Sequence, residues 1–185
     1  MKEIIIYGSR YGSSRQYAHK LSAETGIGVV KYEKVTDLSQ ADTVIYVGSL
    51  YGGSVLGLSK TLAKAPLKEG ASLIIVTVGL SDPADRETVK NIEASVRSCL
   101  PEALYRRSSF FHLRGGIDYS SLSPGHKAMM SLLCFNLKRQ PVQKLRAEDR
   151  EFLKTYGKNI SFIDFSSLNP LINFLRGKDI LESAV

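Results

Sequence analysis

The densest chemistry in the chain lies near its amino terminus, in Gly8-Ser9-Arg10-Tyr11-Gly12-Ser13-Ser14. An apolar run, Ile4-Ile5-Ile6-Tyr7, leads into this stretch, and a helical pattern through Tyr17, Ala18 and Leu21 leaves it. A strand that feeds such a turn into a helix aims free backbone N–H groups, hydroxyls and the positive end of the helix at one point. Such a point suits a phosphate. The turn lacks the Lys-Ser/Thr ending of a P-loop and does not read G-x-G-x-x-G. Its residues alone therefore leave open a bound phosphate of unassigned parentage or a plain strand-to-helix turn.

Two further turns of similar composition follow. Gly48-Ser49-Leu50-Tyr51-Gly52-Gly53-Ser54 comes after the apolar strand Thr43–Val47, and Gly79-Leu80-Ser81-Asp82-Pro83 comes after the strand Ser72–Val78. Strands are also expected over residues 3–7, over Ile27–Tyr32 and over Tyr105–Leu113, with 109–113 as the core of the last. Helices are expected from Ser14 to Glu24, from Ser54 as cap through Leu58 and Leu62 to Pro66, and from Asp82 as cap with Pro83 in its first turn. Strands and helices alternating at this spacing imply parallel β-α-β units with right-handed crossovers. The expected fold is an α/β three-layer sandwich with a five-stranded parallel sheet in the order 2-1-3-4-5. Ligands bind such sheets at the carboxyl ends of strands one, three and four. The Gly/Ser turns after Tyr7, Val47 and Val78 stand at those ends.

The first turn resembles the phosphate loop of flavodoxins, roughly Thr-x-Thr-Gly-x-Thr. Ser9, Gly12 and Ser14 match its first hydroxyl, its glycine and its last hydroxyl, and Tyr11 departs from the middle Thr. The Ser-Arg-x-Gly pattern is closer still to the flavodoxin domain of bacterial menaquinone-dependent protoporphyrinogen IX dehydrogenases. That resemblance implies a flavodoxin-like fold that holds flavin mononucleotide (FMN). The phosphate would lie on Ser9, Arg10, Tyr11, Gly12, Ser13 and Ser14. Ser49, Leu50, Tyr51, Gly52 and Gly53 would form a second flavin loop, with Tyr51 against the ring. Thr77, Val78, Gly79, Leu80 and Ser81 would form the third. No residue is assigned as a catalytic base, because the flavin carries the redox chemistry; Asp82 reads as a helix cap and His112 as a structural histidine. The implied function is electron transfer through the flavin, as a carrier or a small oxidoreductase. The alternatives are a quinone-dependent protoporphyrinogen IX dehydrogenase of haem biosynthesis and a cofactor-free binding domain on the same fold. The implied partner is a redox protein or a quinone. Leu113-Arg114-Gly115-Gly116 and the stretch His126 to Arg139 extend the resemblance.

The whole 185-residue chain reads as one domain over 1–178, with a frayed tail at 179–185. Cys99 and Cys134 are the only cysteines, and no group of His, Cys and carboxylates has metal-ligand spacing. No signal peptide or membrane-spanning run is visible, so a cytoplasmic protein is expected, peripheral at the inner membrane face under the dehydrogenase reading. A receiver domain would need acidic residues just after the first strand, and Tyr7-Gly8-Ser9 supplies none. Nucleic acid has no recognisable motif here, so it is not an expected partner.

The net charge of +7 is concentrated between Tyr105 and Arg146, which hold eight basic residues and one acid, Asp118. An anionic membrane surface is the expected partner of Arg106, Arg107, Arg114, Lys127, Lys138 and Arg139. A helix from Pro124 to Leu137 has a narrow polar stripe (Lys127, Ser131, Cys134, Lys138) and is otherwise apolar. Packing is favoured over insertion for that apolar surface. Short helices are expected over Glu148–Tyr156, stopped by Gly157, and over Asn169–Arg176, stopped by Gly177.

Overall fold

A computed structural model describes residues 2–51, 53–120, 122–145 and 147–183, with 147, 148 and 178–183 described by backbone alone. Gly52, Arg146, the two terminal residues and the side chains of the expected tail lie outside the described residues. Five parallel strands form the sheet: β1 (Glu3–Gly8), β2 (Val29–Lys31), β3 (Thr43–Tyr51), β5 (Ser72–Gly79) and β6 (Ser109–Arg114). Their order, β2-β1-β3-β5-β6, is the doubly wound order expected from the alternation. The label β4 falls to a short strand, Ser54–Val55, hairpinned back onto β3.

Strand residues alternate between two covered faces, and the helices sort accordingly. Ile5, Ile45, Val47, Ile74 and Val76 pack under α1 (Ser13–Thr25) and α7 (Asn169–Ser183). Ile6, Val44, Tyr46, Leu73 and Ile75 pack under α2 (Leu58–Lys64) and α3 (Arg86–Arg97). This double coverage is why the strands read as continuous apolar runs.

Several boundaries differ from expectation, each for a local reason. The second turn is not a loop: β3 runs on through Gly48 to Tyr51, and Ser54 pairs with Tyr51 across the hairpin. The helix expected to cap at Ser54 therefore starts at Leu58, after Gly57 in the left-handed region at φ 80°. Helix α3 is capped by Asp85, not Asp82, because the Asp85 carboxylate accepts from Glu87 and Thr88 N–H. Asp82 instead closes a tight turn onto Ala84 N–H at 2.9 Å. Strand β2 shortens to three residues because Tyr32 opens a 3-10 turn. A short helix, α4 (Glu102–Arg106), occupies the start of the expected fifth strand, with Glu102 held between Arg97 and Arg106. Helix α7 continues through Gly177, which stays helical.

Beyond β6 the chain builds a cover over the carboxyl edge of the sheet. The segment after β6 forms β7 (Gly116–Asp118), paired antiparallel with β8 (Asn159–Ser161). Between them lie α5 (Pro124–Lys138) and α6 (Ala147–Thr155), and Gly157 at φ 76° ends the segment. Only Met130, Cys134 and Leu137 of α5 are buried. Packing thus accounts for one line of the helix. Met129, Leu132, Leu133 and Phe135 stay 41–62% exposed.

Candidate functional site

The register brings the three turns to one edge. Gly8 lies opposite Gly48, Ser49 opposite Val78, and Gly79 opposite Arg114. Gly8 has no room for a side chain, since a Cβ there would fall 2.2 Å from the Leu56 carbonyl oxygen. Gly12 stands at φ 93° at the start of α1, and no side chain caps this 13-residue helix. Its first-turn N–H groups, on a face where Ser13 and Ser14 are buried, are therefore available to an anion.

The hydroxyls hold that turn in shape. Ser9 Oγ accepts from Gly12 N–H at 3.1 Å, Ser14 and Ser49 Oγ share a 2.8 Å hydrogen bond, and Ser13 Oγ accepts from Gly116 N–H at 2.9 Å. Arg10 N–H donates to Ser49 Oγ. Ser49 thus joins the first turn to the second. Ser13 Oγ also donates to the Gly116 carbonyl at 3.3 Å and one proton of the Ser14–Ser49 pair is spent between them, so Ser9 and the other member of that pair keep a proton to donate. An uncapped helix start, buried serines and a turn that requires glycine at Gly8 and Gly12 together fit a phosphate.

Beside this cradle is a cavity of about 540 Å³, within the usual range for small-molecule sites. Of the residues read from the sequence, Tyr11, Ser13, Ser49, Leu50, Tyr51, Gly53, Val78, Gly79, Leu80 and Ser81 line it. Ser9, Arg10, Gly12 and Ser14 form the adjoining turn and are not part of its wall. Thr77 is fully buried within β5, with its hydroxyl 2.8 Å from His112 Nδ1. Burial lowers the pKa of His112, in keeping with a structural histidine.

The other wall was not anticipated. Met129, Met130, Leu133 and Leu137 of α5, Ile92 of α3 and Phe152 of α6 complete the cavity. Their three- and four-residue spacing along α5 was the visible signal, but it did not say which face meets the sheet edge. Tethers hold α5 there. Arg10 hydrogen-bonds His126, Tyr51 O–H donates to Met129 Sδ at 3.2 Å, and Arg10 also lies 5.1 Å over the Tyr51 ring. On the loop side, the Tyr11 hydroxyl is buried without a hydrogen bond of good geometry, although the Arg10 side chain stands near it. Burial, then the Tyr51 phenol, raises its pKa, while Arg10 pulls it back. Behind the α5 wall the Tyr119 hydroxyl is unpartnered, and burial pushes its pKa up to about 12. Among the described residues no group of three His, Cys, Asp or Glu side chains is placed to hold a metal.

The basic segment is spread over separate elements: Arg106 and Arg107 lie at the end of α4, before β6, whereas Lys127, Lys138 and Arg139 lie on α5 and at its end. Arg106 pairs with Glu102, Arg114 is engaged within the fold, and Lys127 donates to the Ser120 carbonyl. Among the described residues no helix is long and apolar enough to cross a membrane.

The sequence model of one family, described as a flavodoxin domain, matches residues 4–143. No curated protein matches the chain. Similar solved structures include a WrbA-like flavodoxin from Agrobacterium tumefaciens, at 11% identity over 58% of this chain and 74% of that one, TM-score 0.40. A mutant flavodoxin from Pseudomonas aeruginosa is 18% identical over 73% of this chain and 96% of its own, TM-score 0.41. The Trp repressor binding protein from Bacillus subtilis is 14% identical over 62% and 83%, TM-score 0.37.

Proposed function

The chain belongs to the flavodoxin domain family, and from that premise we propose that it binds FMN at the carboxyl edge of its sheet and transfers electrons through it. The supporting observation is the uncapped start of α1 at Gly12 beside the cavity. In this reading the first-turn N–H groups of α1 hold the phosphate and Gly12 supplies the φ that frees them. Tyr51 covers one ring face, and the backbone of 79–81 meets the polar edge of the ring. Helix α5 keeps water from the ring through Met130 and Leu137. The bound flavin supplies one- and two-electron chemistry, which the protein tunes through burial and hydrogen bonds. A redox protein or a quinone takes or gives the electrons.

The test is an absorption spectrum of gently purified protein, with the released cofactor identified by mass. A bound yellow chromophore of FMN mass is expected. A colourless protein that also refuses added FMN would leave a cofactor-free binding domain on this fold.

A second, narrower reading is a protoporphyrinogen IX dehydrogenase that works with quinone at an anionic membrane. The outer face of α5 favours the membrane part of it. Leu132 and Phe135 are 62% and 56% exposed, and Lys127, Lys138 and Arg139 flank them. Apolar side chains edged by cations suit the interface of an anionic bilayer. Co-sedimentation with phosphatidylserine vesicles should be strong for the wild type and lost in Phe135→Glu, while neutral vesicles should bind little. Equal sedimentation of both proteins would remove the membrane part and leave the flavin part standing.

A further inference from the structure

Arg114 ends β6 directly opposite Gly79, at the entrance to the third turn. Its guanidinium donates twice to one acceptor, the Leu80 carbonyl, at 3.1 Å from Nε and 3.0 Å from Nη2. The same group lies 3.4 Å from Glu151 of α6 and 3.7 Å from Asp82, and it stacks 3.7 Å over the Phe162 ring. Its own carbonyl accepts from the buried Tyr17 hydroxyl at 2.8 Å. One planar cation therefore joins β6, the third turn, α6 and the segment after β8. Two of those elements, the third turn through Leu80 and Ser81 and α6 through Phe152, are walls of the cavity.

We infer that Arg114 is the positioning residue for the ring-edge wall of the site, fixing the backbone of 79–81 through the Leu80 carbonyl and holding α6 against it through Glu151. The inference rests on the flavin reading for its ligand and on this structure alone for its geometry. Lysine cannot replace the residue. A single ammonium has neither the fork that meets one carbonyl twice nor the flat face that stacks on Phe162. The carboxylates of Asp82 and Glu151 offset its charge, so Arg114 is not a free cation for an external anion.

The test compares wild type, Arg114→Lys and Arg114→Ala, each held well below its own melting temperature. Amide exchange of flavin-free protein comes first. Arg114→Lys should speed exchange of the Gly115 amide, which donates to the Gly79 carbonyl at the third turn, about tenfold, with β1 and β3 unchanged. A loss of overall stability would instead speed exchange in every element. Titration with FMN and with riboflavin comes second. Both variants should weaken both ligands about tenfold, equivalent to about 1.4 kcal/mol, and leave the FMN-to-riboflavin ratio at the wild-type value. Wild-type-like exchange and binding in Arg114→Lys would overturn the inference. So would a loss confined to FMN, which would assign Arg114 to the phosphate. A wild type that takes up neither ligand while the Gly115 amide still loosens in the variant would overturn the flavin reading and retain the positioning role.

Discussion

The two walls of the cavity are built by different physics. The loop wall comes from β1, β3 and β5, each of which ends in a glycine- and serine-rich turn. Its shape is set first within the turns, where Gly12 at φ 93° determines how α1 begins and Ser9 accepts from Gly12 N–H, and the Ser14–Ser49 hydrogen bond then joins the first turn to the second. The cover comes from α5 and α6, and its geometry is non-local. Helix α5 is held by His126 to Arg10, by Met129 to Tyr51 and by one buried line through Met130, Cys134 and Leu137. A wall built on the turns of the sheet edge faces an apolar one built from α5 and α6. Under the proposed flavin reading, that difference separates the holding of the ligand from the control of access to it.

Substitution at Gly12 should have the largest effect and would break the comparison most directly. At φ 93° a valine is strained whatever space surrounds it, and the strain falls on the turn that frees the first N–H groups of α1. Gly12→Val should cost roughly 1–3 kcal/mol of folding stability. It should also weaken FMN about a hundredfold, the equivalent of losing one strong hydrogen bond to a charged group. Urea unfolding and a fluorescence titration measure the two. Riboflavin affinity should fall far less, because it carries no phosphate. Equal losses for both ligands would mean that the turn shapes the whole site and that the division between walls is wrong.

The two walls also differ in how well they could be read from the sequence. Strand, turn and helix follow one another within about fifteen residues on the loop side, so apolar runs, glycine positions and helix periodicity locate the wall without the fold. Even there the second turn departs from expectation, because Gly48 and Ser49 continue a strand while their composition resembles a loop. Asp82 and Asp85 are equally good caps by residue type, and only the Thr88 hydroxyl and N–H, both within reach of Asp85, decide between them. On the cover side, α5 was recognised as a helix of the right length. Its orientation depends on contacts with residues 75 to 120 positions away in the chain, such as Met129 with Tyr51 and His126 with Arg10. Apolar residues around most of a circumference do not say which of them will be buried. Arg114 shows the same limit, since one count of charges cannot tell a surface cation from a guanidinium shared among Leu80, Glu151 and Phe162.

Leu137→Ala gives the smaller effect and sharpens the contrast from the other side. Leu137 is 5% exposed and lies both in the packing line of α5 and on the cavity wall. A buried leucine truncated to alanine costs about 2–5 kcal/mol in a close-packed core. Here the cost should sit near 2 kcal/mol, because α5 leaves much of its circumference open and its neighbours can settle into the space. FMN affinity should change by less than tenfold, since no group on Leu137 touches the phosphate cradle. The signature should be kinetic: faster flavin release, and faster amide exchange in α5 and α6 with β3 and β5 unmoved. Stopped-flow release and hydrogen exchange read these separately. If truncation instead slowed exchange in the cover or weakened FMN as much as Gly12→Val does, α5 would be part of the holding wall, and one cooperative unit would replace the two described here.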